Sequence, residues 1–376
     1  MGSSAPFRVN AAAPRLEPVR FDDLAGFASD DCLAALAAFR RSARALCDGK
    51  APPRSGRPAS PRLAAIAREA LVAEIGDADA ARNFFAARFA PFRVVSEAAD
   101  GRGFFTGYYE PFVAGSLTPT ARFRAPALAR PRDLVTFAPG ATPPGFDPAL
   151  AGAQRLADGR LRPYPDRAEI ESRDGEAVVW LEDAVEAFFV QVQGSARVRL
   201  PDGREVRLAY DGRNGQPYTS IGRLLIETGE IPEREMSLQR LKGWLRAHGL
   251  EPGDEGRALM RRNRSYVFFK LESDFDPALG PIAGAGVALT PLRSIAVDRS
   301  LWAYGTPFFI DAELPWEGDA STRFRRLTIA QDTGSAIVGA ARADIFFGGG
   351  EAAGARAGAV RHRGGFVALL PRGDER

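Results

Sequence analysis

The last hundred residues of the chain alternate between short apolar runs and glycine-rich turns. A short apolar run bounded by turn residues is typical of a buried β-strand. Several such strands joined by tight turns suit a small closed barrel, because closure leaves no exposed sheet edge. The sequence therefore predicts a closed barrel, with strands at residues 286–289, 294–297, 308–310, 326–330, 336–338 and 366–370.

The N-terminal region has a pattern typical of helices instead. Pro and Ala dominate residues 1–20, which we expect to form an extended lead-in. After residue 20, apolar residues recur at helical spacing, and aspartates that are good N-caps precede two of the segments. We predict three helices: one after Asp30 and Asp31, one over residues 61–75, and one starting at Asp77 or Asp79.

The middle of the chain mixes short strands with helices. Apolar and β-branched runs alternate there with Gly and Pro clusters. We predict strands at residues 104–109, 178–180, 188–193 and 266–271, a hairpin of residues 197–200 and 204–209, and helices at residues 220–228 and 237–248.

Composition excludes several classes of protein. The chain has 376 residues, so two domains or one domain with an insertion are expected. Hydrophobic residues make up 45% and charged residues 26%, as in ordinary globular proteins. A formal net charge of only +3 implies no polyanion-binding tail, and we expect no nucleic-acid partner.

The two cysteines, Cys32 and Cys47, fall in one segment with a helical pattern. A single helix would place them roughly 22 Å apart, whereas a disulfide needs Cα atoms within about 7 Å. We therefore predict two buried free thiols. The only histidines, His248 and His362, show no ligand spacing with a cysteine, so no metal site is predicted.

Three aspartates lie next to apolar runs in the C-terminal region: Asp298, Asp332 and Asp344. Burying a carboxylate is costly unless it is hydrogen-bonded or its pKa rises, and a raised pKa suits a general acid working near neutral pH. The alternative is that all three cap turns. The Asp-Thr-Gly triplet at Asp332 also occurs in aspartic proteases, but those need two such triplets and this chain has one.

An ordered series of segments points to a known family. The segments are residues 106–111 (TGYYEP), 190–195 (VQVQGS), 210–222 (YDGRNGQPYTSIG), 263–269 (NRSYVFF) and 283–291 (AGAGVALTP), followed by the segments around Asp332 and Asp344. Over about residues 104–370, the chain resembles the membrane-bound lytic transglycosylase A family, which cleaves bacterial peptidoglycan and ends in a "three-aspartate" domain. The order of the segments is a more specific signal than any one of them.

The resemblance implies a mainly β fold with N-terminal helices. A double-psi β-barrel would form from residues 1–110 and 273–376, and a second β-rich, substrate-binding domain would be inserted at residues 111–272. A groove between the two domains is where an extended polymer would lie.

The resemblance also implies a mechanism with one carboxylate. Glycosidases usually need two. A lytic transglycosylase instead uses the C6 hydroxyl of N-acetylmuramic acid to attack C1 at the bond to N-acetylglucosamine, which leaves a 1,6-anhydro sugar. Asp344 matches the family's catalytic position, as acid and then base, and burial beside its apolar neighbours would raise its pKa. Asp332 is the competing candidate for the acid, because its Asp-Thr-Gly-Ser sequence also looks like a catalytic turn. The resemblance implies that Asp332 and Asp298 support the site, with no cofactor and no metal.

The same resemblance places Thr106, Tyr108 and Tyr109 at the substrate groove. A tyrosine ring can stack on a sugar while its hydroxyl donates a hydrogen bond. Adjacent residues of a strand point to opposite faces, so a core position is the alternative for one of the two tyrosines.

Five more residues are candidates for glycan binding, each with a structural alternative. Asp211, Asn214 and Tyr218 surround a tight turn, so turn formation is the alternative for them. Tyr218 also leads into a helix start, whose free N–H groups could meet a glycan substituent. Gln193 would share a strand face with the amide two residues before it, which suits polysaccharide or solvent. Lys270 follows an apolar strand and could bind a sugar oxygen or assist the acid.

The leading hypothesis is a monomeric lytic transglycosylase that acts on peptidoglycan strands in the periplasm of a Gram-negative bacterium and works within cell-wall enzyme complexes. Residues 1–6 show no export signal. Either the export signal and any outer-membrane anchor belong to a precursor, or the protein is cytoplasmic, which would count against the resemblance. One alternative is a non-catalytic glycan-binding protein. The other is an inverting hydrolase with Asp344 as acid and Asp332 or Asp298 as base, the carboxyl groups about 6.5–9.5 Å apart.

Overall fold

The computed structural model describes residues 14–96, 100–138, 141–318 and 320–374. Residues 1–13, which hold most of the predicted lead-in, lie outside the described residues.

The described residues form nine α-helices and seventeen strands. The helices are α1 (Cys32–Asp48), α2 (Pro61–Val72), α3 (Ala78–Arg88), α4 (Arg167–Glu171), α5 (Ala184–Gln193), α6 (Ile221–Glu227), α7 (Leu238–Ala247), α8 (Glu255–Arg262) and α9 (Glu351–Ala359). The strands are β1 (Arg15–Pro18), β2 (Phe89–Val95), β3 (Gly103–Glu110), β4 (Phe112–Ser116), β5 (Ala125–Leu128), β6 (Leu134–Thr136), β7 (Gly152–Arg155), β8 (Leu161–Pro163), β9 (Ala177–Leu181), β10 (Ala196–Arg199), β11 (Glu205–Arg213), β12 (Val267–Glu272), β13 (Ser294–Val297), β14 (Pro307–Leu314), β15 (Thr322–Asp332), β16 (Arg342–Gly349) and β17 (Arg361–Pro371).

The chain separates into two compact units. The barrel unit combines the described residues before Glu110 with the chain from Asp276 onward, and the insert unit is the continuous segment Glu110–Phe275.

Six strands of the barrel unit close on themselves. Their order is β17, β14, β15, β13, β16 and β3, and a further pairing between β3 and β17 completes the ring. Strand β17 is long, so its first part can pair with β3 while its last part pairs with β2. The pairing of β13 with β15 is parallel, whereas β13 pairs antiparallel with β16. The predicted mainly β fold with N-terminal helices and a closed barrel is confirmed.

Helices α1 to α3 pack on the outside of the barrel. Their buried aromatic side chains, led by Phe39 and Phe85, share one core with Phe309 of β14 and Leu369 of β17. The helices begin where the sequence predicts, because the side chains of aspartates at the caps of α1 and α3 accept hydrogen bonds from the first-turn amides. The helical packing therefore fixes the outer face of β14, β15 and β17.

A buried ion pair joins the start of this helical region to the barrel. The two terminal nitrogens of the Arg293 guanidinium donate to Asp30, at 2.7 and 2.9 Å. The carboxylate also accepts from the backbone N–H of Leu327 at 2.7 Å. Because Asp30 and Arg293 are both buried, removing either one would leave an uncompensated charge.

The insert unit contains a six-stranded sheet in the order β12, β11, β10, β4, β9, β5, and a three-stranded sheet of β6 to β8. The predicted hairpin is present as β10 and β11, which pair antiparallel. The predicted helices over residues 220–228 and 237–248 are confirmed as α6 and α7, with Ser220 and Ser237 as their N-caps.

The predicted strand over residues 188–193 is wrong, because these residues belong to helix α5. Nearly every side of this helix is buried, so its apolar pattern has no helical period. Short apolar runs of this kind cannot be assigned by periodicity alone.

Two predicted barrel strands are also absent from the described structure. Residues 336–338 lie at a turn closed by the hydrogen bond from the Ile337 N–H to the Gly334 carbonyl, and only the Ile337 side chain is buried. Residues 286–289 contribute one isolated bridge, at Ala288. Helices α4, α8 and α9 were not predicted.

The prediction of two buried thiols is correct for Cys32 and wrong for Cys47, which is exposed near the end of α1; both are free. Among the described residues, no helix combines the length and the apolar composition that a membrane span requires.

Candidate active site

Two of the three aspartates lie on strands that flank β13. Ala296 of β13 is in register with Asp332 at the end of β15 on one side and with Asp344 of β16 on the other. Two strand spacings place the Cα atoms of these aspartates about 10 Å apart. The barrel therefore brings both carboxylates to one level of its wall.

Asp344 is half-buried and hydrogen-bonded to the neighbouring strand. The Thr106 hydroxyl of β3 donates to Oδ1 of Asp344 at 2.5 Å. The Thr106 oxygen in turn accepts a hydrogen bond of 2.6 Å from Nη2 of Arg342, two residues before Asp344 on the same strand. The guanidinium of Arg342 also lies over the Phe104 ring, 5.3 Å from its centroid.

Burial raises the pKa of the Asp344 carboxyl above its ordinary value. The positive charge of Arg342 and the hydrogen bond from Thr106 favour the ionised form and act in the opposite direction, whereas the Asp332 carboxylate raises the pKa further. The same burial lowers the pKa of Arg342. A raised pKa favours the protonated carboxyl group, which is the form that a general acid needs.

Asp332 has partners on both of its oxygens. Its Oδ1 accepts a hydrogen bond from the Gly284 backbone N–H at 2.9 Å and lies 3.7 Å from the Arg54 guanidinium. Its Oδ2 accepts from the Tyr108 hydroxyl at 3.1 Å. This carboxylate is tied into the surrounding structure, so it is poorly placed to activate a water molecule.

Tyr108 of β3 donates to the Asp332 carboxylate and is close enough to Asp344 to be affected by its charge. Its ring packs against Phe346, with 5.3 Å between the ring centroids. Burial, followed by the charges of Asp332 and Asp344, raises the pKa of Tyr108 well above its ordinary value. The hydroxyl is therefore protonated at any working pH and serves as a donor.

Tyr109 lies on the opposite face of β3 and is buried. A Cβ atom on Gly354 of α9 would lie 2.6 Å from the Tyr109 ring, and one on Gly107 would lie 2.7 Å from the Cα atom of Ala357. The two glycines allow α9 to pack directly on this face of β3. Within the barrel unit, Thr106 and Tyr108 thus accompany the carboxylates and Tyr109 does not.

Asp298 is used to hold a loop. Its Oδ1 accepts from the Ser300 backbone N–H and hydroxyl, at 3.0 and 2.6 Å, and its Oδ2 accepts from the Gly339 backbone N–H at 2.8 Å. The last bond fixes the turn between Asp332 and Asp344. The contacts of Asp298 are those of a turn-forming residue.

Asn214, in the insert unit, is fully buried and saturated with hydrogen bonds. Its amide nitrogen donates to the carbonyls of Pro165 and Arg264, both at 2.9 Å. Its oxygen accepts from the backbone N–H groups of Gln216 and Tyr266, at 3.3 and 2.9 Å. These bonds join three segments of the unit and leave no free donor for a sugar.

The other four candidates of the insert unit lie on β11, α5 and β12 and ahead of α6. Asp211 lies at a bulge of β11, where its backbone carbonyl accepts from Arg130. Gln193 ends helix α5 and is half-buried. Tyr218 is exposed ahead of α6, and Lys270 is exposed on β12, 3.7 Å from Glu272.

Sequence reasoning missed Arg342 and Arg54. The signal for Arg342 is the strand period of two, which places it on the same face of β16 as Asp344. Arg54 had no such signal, because it lies in the loop between α1 and α2 and reaches Asp332 only through the fold.

Sequence comparison identifies two families in the chain. The MltA specific insert domain matches residues 104–270, and the 3D domain matches residues 293–370. A membrane-bound lytic murein transglycosylase A of Vibrio cholerae is 32% identical over 277 residues, which cover 70% of this chain and 64% of that protein. The corresponding protein of Escherichia coli K12 is 33% identical over 279 residues, covering 71% and 66%. The match thus spans slightly under two thirds of these relatives.

Solved structures agree with the sequence comparison. A membrane-bound lytic murein transglycosylase from Agrobacterium tumefaciens has a TM-score of 0.82 and 37% identity, over 95% of this chain and 98% of that one. The crystal structure of E. coli MltA with bound chitohexaose has a TM-score of 0.63 and 28% identity, over 98% and 95%. The chain belongs to the membrane-bound lytic murein transglycosylase A family.

Proposed function

We propose that this protein is a lytic transglycosylase. It cleaves the β-1,4 bond between N-acetylmuramic acid and N-acetylglucosamine in peptidoglycan and leaves a 1,6-anhydro-N-acetylmuramic acid end. The observation that carries the proposal is the half-buried Asp344, whose pKa burial raises and whose carboxyl is held by Thr106. Family membership and the names of the relatives support the same activity.

Asp344 acts twice in the proposed reaction. As a general acid it gives its proton to the glycosidic oxygen while the bond from that oxygen to C1 breaks. As a carboxylate it then takes the proton of the C6 hydroxyl while O6 forms a bond to C1. The carboxyl group ends protonated as it began, and no water is consumed.

The two supporting aspartates have different proposed roles. Asp332 orients Tyr108 and adds negative charge near the sugar ring, where positive charge develops in the transition state. Asp298 holds the turn that carries the chain from β15 to β16. An inverting hydrolase would need one of them as a base, but the oxygens of both already accept hydrogen bonds.

We propose that the barrel unit carries catalysis and that the insert, residues 111–272, contacts the glycan. Tyr218 and Lys270 are the predicted residues whose exposed side chains suit that task. Gln193 stays a prediction, whereas the contacts of Asp211 and Asn214 favour structural roles. That E. coli MltA holds chitohexaose in a solved structure makes this oligosaccharide a suitable binding probe.

We place the protein in the periplasm of a Gram-negative bacterium, as a monomer acting on peptidoglycan strands within cell-wall enzyme complexes. The relatives are named membrane-bound, which supports an anchor to the outer membrane. Among the described residues, no cluster of His, Cys, Asp and Glu side chains could hold a metal ion.

Mass spectrometry of digested peptidoglycan tests the activity. The wild type should release muropeptides about 18 Da lighter than hydrolytic products, because no water is added, and should do so equally in a chelator. Asp344→Asn should release none while still binding chitohexaose. Reducing ends would mean a hydrolase, and intact glycan bound by both proteins would favour a non-catalytic binding protein.

A further inference from the structure

Arg342 is linked to the proposed acid through a single hydroxyl group. Among the described residues, its guanidinium donates to the Ala343 carbonyl and to the Thr106 oxygen, and Thr106 donates to Asp344. The two bonds through Thr106 measure 2.6 and 2.5 Å. The hydrogen-bonded path from Arg342 to the carboxyl group therefore runs through Thr106, in addition to the direct effect of the positive charge.

The donor and acceptor roles in this chain of bonds are fixed at one end. A guanidinium has donors only, so the Thr106 oxygen must be the acceptor from Arg342. The hydroxyl has one proton, and the nearby positive charge polarises the O–H bond toward donation. Its proton is therefore directed to Oδ1 of Asp344, which becomes an acceptor.

We infer that Arg342 is a positioning residue that, through Thr106, confines the acidic proton of Asp344 to Oδ2. This inference rests on the proposed function, in which Asp344 is the acid. Oδ1 is occupied by the Thr106 hydroxyl, whereas within the described part of the chain no group donates to Oδ2. The carboxyl group thus carries its proton on one fixed oxygen, Oδ2. Protonation of Oδ1, which would direct the proton toward Thr106, is disfavoured.

The charges around Asp344 also make Arg342 responsible for the pH range of activity. The groups that face the carboxyl are Thr106 and Tyr108 from β3, Asp332 from β15 and Arg342 from β16. Arg342 supplies the positive charge of this set and opposes the effect of burial. Without it, Asp344 would keep its proton to higher pH.

The decisive experiment is a pH profile of kcat/KM for the release of anhydro-muropeptides by the wild type and Arg342→Gln. The acid must be protonated, so activity falls on the alkaline side as Asp344 ionises. Arg342→Gln should move this alkaline limb to higher pH and lower kcat by roughly ten- to a hundredfold, the effect of losing a charge-assisted hydrogen bond. Arg342→Lys, which keeps the charge, should keep the limb near its wild-type position.

Arg363 provides a matched control. Its guanidinium lies over the same Phe104 ring, 5.9 Å from the centroid, but it bonds to Asp100 and to the Arg102 carbonyl and not to Thr106. Arg363→Gln therefore removes a guanidinium from the same ring and should leave both kcat and the limb unchanged.

A second variant tests the relay, meaning the two hydrogen bonds from Arg342 to Thr106 and from Thr106 to Asp344, separately from any loss of stability. Thr106→Val removes the hydroxyl that links Arg342 to Asp344 and should move the alkaline limb in the same direction as Arg342→Gln. The loss of kcat in the double variant should be smaller than the sum of the two single losses. Two results together would overturn the relay while leaving the proposed function intact. They are an alkaline limb that does not move in an active Arg342→Gln enzyme, and kcat losses that add in the double variant. If Arg342→Gln does not fold, Thr106→Val and Arg342→Lys decide the matter by the same criteria. A wild type without anhydro products would overturn the proposed function itself, and the inference with it.

Discussion

Replacing Asn214 by Ala tests whether this residue holds the insert unit together or binds glycan. The substitution removes the only described side-chain partner of the backbone N–H groups of Gln216 and Tyr266 and of the Pro165 carbonyl. The Arg264 carbonyl is less affected, because it also accepts from the backbone of Arg167. Three buried groups are therefore left without a partner.

The cost can be estimated from these three groups. A buried polar group without a partner costs about 1–3 kcal/mol, so three give about 3–9 kcal/mol. Water entering the space left by the shorter side chain brings our expectation to the lower part of that range, about 3–5 kcal/mol. Because a whole domain is stable by only about 5–15 kcal/mol, the loss is a large fraction of the total.

Urea unfolding, followed by near-ultraviolet circular dichroism, measures the effect. Asp211→Ala is the matched control, because Asp211 contributes its backbone carbonyl and its side chain takes part in none of the described hydrogen bonds. We expect this control to stay within about 0.5 kcal/mol of the wild type. An Asn214→Ala protein with unchanged stability and lost chitohexaose binding would refute the structural reasoning.

Two further predictions concern groups whose pKa burial raises. Because the pKa of Asp344 is raised in the folded state, its ionised form destabilises the protein above the unfolded pKa of about 3.9. Asp344→Asn should therefore raise the thermal midpoint of unfolding at pH 7, and this gain should disappear below about pH 3.5. Equal midpoints for the variant and the wild type at pH 7 would contradict the prediction. Cys47 is exposed and should react with a maleimide in the native protein. Cys32 is buried, which raises the pKa of its thiol to about 12, so it should react only after unfolding. Two adducts on the native protein in mass spectra would show that Cys32 is accessible.

Local signals in the sequence identified the helices better than the strands. Aspartates and serines at the caps located α1, α3, α6 and α7. Helix α5 carried the same kind of signal, since the side chain of Asp183 accepts from the Glu186 N–H and Gly194 follows the last turn with φ near +83°. Here the apolar composition outweighed the cap in our interpretation, and a strand was predicted where a buried helix lies.

The site divides into a part that sequence patterns reach and a part that they do not. Asp344 and Arg342 share a strand face, so a period of two connects them. The ties between Asp332 and Arg54, and between Asn214 and Tyr266, join segments that no local pattern relates. Asn214 lies in a turn-like sequence, which made it a candidate for ligand binding. Its structural role becomes clear only from the distant backbone groups that hydrogen-bond to its side chain.

The closed barrel determines when, during synthesis and folding, the candidate site can form. Thr106 and Asp344 are separated by 238 positions, and the ring containing β3 is completed only by β17, near the C-terminal end of the barrel unit. Contacts of such long range form late and slowly in folding. A growing polypeptide therefore has Thr106 in place long before the residue it serves, and we expect it to have no activity until synthesis has passed β17. Partial chains left by interrupted translation would therefore lack the proposed activity.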